Sequence, residues 1–220
     1  METRMGYFLL GREYRDLPRV ESCSGDDTAG TLAILKTAQP GDLVLVKTTA
    51  IGYAFGRRIT RNHYDHIAVV LTEGETLNII FPKTVKLPLS AFRKPGNAPL
   101  ILRPNWRTTE QRDEFIREML GFMDAKYDLT KTFVGIFFTC LNTWLGLRAP
   151  KRKLRDYPSK WICTEAIIVS LCKVYPEFKV IKSMKLDYNI LGFATTNDFL
   201  RIAKRYPELL TIARGQAVTY

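Results

Sequence analysis

Between residues 42 and 103 the chain alternates short apolar runs with turn residues. After the turn Gln39-Pro40-Gly41, residues 42–46 read DLVLV, the pattern of a buried strand. Ile51, Ala54, Phe55 and Ile59 then recur at helical spacing. A second strand is predicted over 67–71, followed by the tight turn Glu73-Gly74 and a return strand over 77–81. Runs at 85–89 and 100–103 complete a small antiparallel sheet.

From Thr108 the apolar period changes to that of a helix. Thr108 or Thr109 can cap it, with Phe115, Met119, Leu120 and Met123 on one face. Residues 133–147 are apolar and lead into the basic run RAPKRKLR. A helix is predicted from near Trp161 to Val174, ending before Pro176. Asn197 or Thr196 can cap a last helix reaching Ala203, and the polar loop 23–28 precedes a first helix over 31–37. The sum is an α+β reading, a small antiparallel sheet packed against helices.

Composition bounds this picture. The chain has 220 residues, 46% of them hydrophobic and 25% charged, and no Gly-, Pro- or Ser-dominated stretch, which fits one packed domain over 1–220. Thirty-three Lys and Arg against 22 Asp and Glu give a net charge of +11, which favours anionic surfaces. Zinc-finger, RNP-like and basic-zipper patterns are absent, so nucleic acid is not an expected partner. Cys23, Cys140, Cys163 and Cys172 form no C-x-x-C pair, so neither metal nor cofactor is expected. The start METRMGYFLLGREYRD carries too short an apolar run for a signal or anchor, which predicts a cytoplasmic protein with free thiols.

One cysteine is placed for chemistry. Cys163 opens WICTEAIIVSLCKV, and a thiol in the first turn of a helix is drawn toward thiolate by unpaired N–H groups. Cys172 and Cys140 fall within apolar stretches as core residues. The two histidines, His63 and His66, both lie in NHYDHIAVVL. His66 begins a strand that can fix its backbone while the ring faces a neighbouring helix; His63 lies in the preceding turn. A polar group must then orient the ring. Asn78, twelve residues on and across the hairpin, leads Asp65 and Glu75 for that role. Glu165, in the first turn after Cys163, is read as a supporting residue.

GDLVLV, NHYDHIAVVL, LNII, MDAKYD and WICTEAI follow the motif order of the permuted NlpC-like, papain-fold cysteine hydrolases, the YiiX/YebB-like group related to lecithin retinol acyltransferase-like enzymes. The chain resembles them from Pro40 to Leu200, with residues 1–39 as an N-terminal extension outside the resemblance. The resemblance implies a circularly permuted papain-like fold. It also implies a catalytic set of Cys163, His66 and Asn78, supported by Glu165, Tyr127 and Asp128, with Asn197-Asp198 and Gly41-Asp42 also matching. Two departures are Ala68, where the family has Gly, and Asn78, where bacterial relatives more often carry an acid. The implied chemistry is acyl transfer through a thioester, by an amidase, peptidase or esterase.

An acyltransferase or phospholipase-like enzyme at membranes is the alternative, and a catalytically silent membrane- or partner-binding module of the same fold is another. Expected partners are peptide, acylated or lipid substrates, with Lys151, Arg152 and Lys153 after the apolar segment offering contact to an anionic membrane. That segment, interrupted by Thr139, Asn142 and Thr143, falls short of the roughly 20 apolar residues needed to span a bilayer. A cytoplasmic, peripheral-membrane location follows from this reading.

Overall fold

A computed structural model describes residues 28–47, 57, 64–93, 99–130, 132, 160–179 and 195–213. In chain order these form α1 (Thr28–Lys36), β1 (Leu43–Val46), β2 (His66–Thr72), β3 (Glu75–Ile79), β4 (Thr84–Pro88), β5 (Leu100–Pro104), α2 (Thr109–Leu120), β6 (Lys126–Tyr127), β7 (Lys160–Trp161), α3 (Cys163–Val174), α4 (Thr196–Arg205) and β8 (Leu210–Ala213). The fold is α+β. A six-stranded sheet runs β4-β3-β2-β1-β5-β8 with every neighbouring pair antiparallel, while β6 and β7 form a small parallel pair.

Strand alternation divides the core. Leu43, Leu45, Ile67, Val69, Leu77 and Leu102 point to one face, where Phe115 of α2, Ala166, Ile167 and Leu171 of α3, and Phe199 and Ile202 of α4 cover them. Val44, Val46, Ala68 and Val70 point to the other, against Leu35 of α1 and the short 3-10 turn bearing Leu89 and Phe92. Because β1 and β2 are buried on both faces, they read as unbroken apolar runs rather than as alternating ones.

Asp42, ahead of β1, is a structural anchor. Its carboxylate accepts from Arg103 Nε at 2.9 Å and Nη2 at 2.8 Å on β5, and from the Gln39 N–H at 2.8 Å. The same Nη2 donates to Thr37 O at 2.9 Å, so one ion pair between a buried carboxylate and a half-buried guanidinium joins the end of α1, the turn, β1 and β5. Gly41 needs its glycine twice over. Its φ is +85°, and a Cβ there would sit 2.8 Å from Arg112 Cγ and 2.9 Å from Trp106 Nε1.

The helix ends follow cap chemistry. Thr108, one of the two expected residues, caps α2 by accepting from the Gln111 N–H at 3.2 Å. At α4 the cap is Thr195 rather than Asn197 or Thr196, because Asp198 closes a reciprocal capping box three residues on, and the helix continues to Arg205. Thr196 instead donates its hydroxyl proton to Tyr64 O at 2.6 Å, tying α4 to the segment just before β2. Leu120, predicted on the apolar face of α2, is 37% exposed at the helix end, and Met123 lies beyond it. Strands β6, β7 and β8 were not predicted, for two to four residues are too few to show periodicity. Apart from Arg57, which is helical, the predicted helix over 51–59 lies outside the described residues, as do the apolar segment 133–147, the basic run with Lys151, Arg152 and Lys153, and His63.

Candidate active site

The site lies where β2 and β3 part. Val70 N–H donates to Asp42 O across β1, so even-numbered residues of β2 bond to β1, and Ile67 and Val69 direct their backbone groups toward β3. The β2/β3 register begins at Val69↔Leu77 and does not extend to Ile67. Cys163, the first residue of α3, comes to this opening, where the backbone N–H groups of Ile67, Thr164 and Cys163 itself favour a charged sulfur. The thiol is thereby placed against the residue that follows His66.

His66 is held from the other side. Its Nε2 lies 3.1 Å from Asn78 Oδ1, and both residues are buried. What fixes this contact lies one strand further on. Thr76 Oγ1 donates to Leu87 O at 2.9 Å, so that oxygen can only accept from its other neighbour, and Asn78 Nδ2 donates to it at 2.9 Å. Asn78 Nδ2 also points at Thr76 O, 3.3 Å away, which cannot donate. The amide must therefore turn Oδ1 toward the ring. An acceptor at Nε2 requires the proton there, leaving Nδ1 as the basic nitrogen. A run of three side chains, from the β4 backbone to the imidazole, selects the tautomer.

Asn78 sits on an interior strand with 1% exposure, and its amide is fully used, so this buried polar side chain leaves no group unpaired. The two alternatives are engaged elsewhere: Asp65 pairs with Arg57, and Glu75 pairs with Lys86 at 3.2 Å on the exposed rim. Thr76 is the residue the sequence reading missed. A Thr two positions before the asparagine on a strand shares its face, and that spacing is the signal that could have found it.

The motif Tyr127-Asp128 is brought alongside. Tyr127 pairs with Trp161, and the Asp128 N–H donates to Trp161 O at 3.0 Å, two residues before Cys163. Tyr127 Oη accepts from Thr132 Oγ1 at 3.1 Å. Glu165 is buried in the first turn of α3, and Asn197 and Asp198 are buried in the first turn of α4. Cys172 is a core residue whose thiol donates to Phe178 O at 3.5 Å.

Burial sets the protonation of the central pair. It pushes the Cys163 thiol above its ordinary 9.0 despite the three N–H donors, so the helix-start effect predicted for this cysteine is outweighed by desolvation. Burial also pulls His66 below 6.5, only partly opposed by Asn78. The resting pair is a neutral thiol and a neutral imidazole, and among the described residues no hydrogen bond joins the two. By strand alternation His66 and Asn78 stand on the face of Ala68, while Cys163 arrives from the layer of α3. Strand alternation therefore sets the ring on the side of α1 and the sulfur on the side of α3.

Stability should fall at both ends of the pH range. Below about pH 6.5 the unfolded chain takes up a proton on His66 that the native protein refuses, so stability declines as pH drops from there toward the lowered native pKa. Above about pH 9.0 the unfolded chain gives up the Cys163 proton that the native protein retains, so stability declines as pH rises. Urea midpoints across pH for the wild type and His66→Gln check this: the variant should show a shallower acid limb. An unchanged acid limb would mean that His66 is not buried neutral.

No protein-family model matches the chain, and no curated protein matches its sequence. Among the described residues no group of three or more His, Cys, Asp or Glu is arranged to hold a metal ion, and no helix is long and apolar enough to cross a membrane.

Proposed function

We propose that this protein is a thiol-dependent acyl-transfer enzyme, a cysteine hydrolase or acyltransferase of circularly permuted papain-like design. The observation that carries the reading is the relay from Leu87 O through Thr76 and Asn78, which holds His66 as the Nε2–H tautomer on the strand whose next residue, Ile67, meets the helix-start Cys163. A structural histidine needs only a partner; here the partner's own orientation is fixed as well. Cys-His-Asn sets of this kind serve papain-like enzymes, where an amide orients the imidazole without charge. The permutation is in the chain order: His66 and Asn78 precede Cys163.

In the proposed reaction Cys163 attacks a carbonyl carbon while His66 Nδ1 takes the thiol proton. The Cys163 N–H is one donor for the developing oxyanion. Collapse expels the leaving group, which receives the proton from His66, and leaves a thioester on Cys163. Water or another acceptor, deprotonated by His66, then releases the acyl group. Because the resting pair is neutral, thiolate forms with attack rather than standing ready beforehand.

The substrate class is an amide or ester of a peptide, acylated molecule or lipid. Contact of the basic run Lys151, Arg152 and Lys153 with an anionic membrane and a cytoplasmic, peripheral location belong to the same reading. A silent binding module is the second reading, favoured by the buried thiol, 7% exposed, and by the missing bond between Cys163 and His66.

Incubation with acyl p-nitrophenyl esters, followed by intact-mass measurement and peptide mapping, separates the two. One acyl group on the peptide containing Cys163, absent from Cys163→Ala, is the expected result. Acylation that falls equally on Cys172 or on lysines, or none with any chain length, would sink the enzyme reading.

A further inference from the structure

Three lysines stand side by side one register step from the candidate site. Lys83 bridges Lys126 in antiparallel fashion, and Lys126 pairs with Lys160 in the parallel β6/β7 pair. The arrangement is pinned on both sides of the bridge: Thr84 N–H donates to Ala125 O, and Tyr127 N–H to Pro82 O, each at 3.1 Å. Residues opposite one another on adjacent strands share a face, with strands about 4.8 Å apart, so the three stems leave one face within about 10 Å. All three are exposed, and among the described residues none has a carboxylate partner.

Like charges set directly opposite destabilise a sheet, so this register carries a cost unless an anion sits over it. In the six-stranded sheet the diagonal cross-strand pair Glu75 and Lys86, across β3 and β4, joins opposite charges instead. The next register step is Tyr127↔Trp161, and Cys163 follows two residues later. The row therefore stands three residues along the chain from Cys163.

We propose that Lys83, Lys126 and Lys160 form a binding site for a phosphate group, held by ammonium hydrogen bonds to its oxygens. The proposal rests on strand register, and it deepens the acyl-transfer reading by giving the substrate, or the surface that carries it, a phosphate. Binding itself does not require the thiol to be active.

The test is titration of the full-length ¹⁵N-labelled protein with inorganic phosphate and with glycerol phosphate, at ionic strength balanced with chloride. Saturable amide shifts at Lys83, Lys126 and Lys160 are expected in the wild type and in Cys163→Ser. Affinity should be about tenfold weaker in Lys126→Glu, the value of one charge-assisted hydrogen bond. Lys36→Glu, a reversal away from the row, should bind as wild type does. Because Lys126→Glu relieves the like-charge contacts, its melting temperature should equal or exceed that of the wild type, which separates lost binding from lost folding.

A response to phosphate no different from that to chloride, or equal affinity in Lys126→Glu, overturns the site. Sedimentation with phosphatidylcholine vesicles, with and without phosphatidic acid, assigns the source. Recruitment by phosphatidic acid that is lost in Lys126→Glu points to a lipid headgroup; soluble-phosphate binding without recruitment points to a free phosphomonoester. Retained phosphate binding without acylation of Cys163 would keep this site and remove the acyl-transfer reading.

Discussion

His66→Ala is expected to slow acylation of Cys163 by about 10²–10⁴-fold, the usual worth of a positioned base. The effect should be large here because the thiol is pushed up by burial and does not ionise alone near neutral pH. Its form identifies the cause. In the wild type kcat/KM should fall as pH drops below 6.5, through the lowered pKa of His66, and that limb should vanish in the variant. Asn78→Ala, which frees the ring but leaves it present, should fall between the two. Stopped-flow release of p-nitrophenol measures all three. An unaltered rate and pH profile in His66→Ala would mean that the imidazole is structural and the relay through Thr76 only satisfies a buried amide.

The second large effect is on folding. Asp42→Ala should cost about 3 kcal/mol, since it strands the half-buried Arg103 charge and removes the acceptor of the Gln39 N–H. Arg103 keeps 31% of its side chain in contact with solvent, which places the cost at the lower end for such pairs, while Asp42 is 1% exposed and accepts from both β5 and the Gln39 N–H. That is a large part of the 5–15 kcal/mol that holds a typical domain together. It should appear as a fall in melting temperature of roughly 6–12 °C. Asp42→Leu combined with Arg103→Met should recover part of the loss, because the second change removes the stranded charge. A urea-midpoint loss worth under about 1 kcal/mol in Asp42→Ala would show that solvent, not Asp42, balances Arg103. The acid matters to the site indirectly: β1 starts beside it, and Val46 at the far end of β1 is the register partner of His66.

These two residues also mark what kind of information each level holds. Sequence reading selected both positions, but for Asp42 it gave only a motif, whereas its partner Arg103 lies 61 residues away. It placed Cys163 at a helix start because the apolar period begins there, and the structure starts α3 at that residue. The pairing of His66 with Asn78 was legible for a local reason: a tight turn at Glu73-Gly74 makes the hairpin register short-range.

What sequence alone determined, then, was whatever depends on neighbours in the chain: the main strands from unbroken apolar runs, α2 and α3 from helical periodicity, and the hairpin contact of His66 with Asn78. Tertiary structure decided the rest. The protonation of Cys163 and His66 turns on how much water burial removes, which no local pattern encodes. The Thr76 relay depends on the carbonyl of Leu87 in the next strand, and the lysine row depends on β6 and β7 meeting across a sequence separation of 34 residues. Strands that short have no period to read, and they exist because distant segments supply their hydrogen bonds.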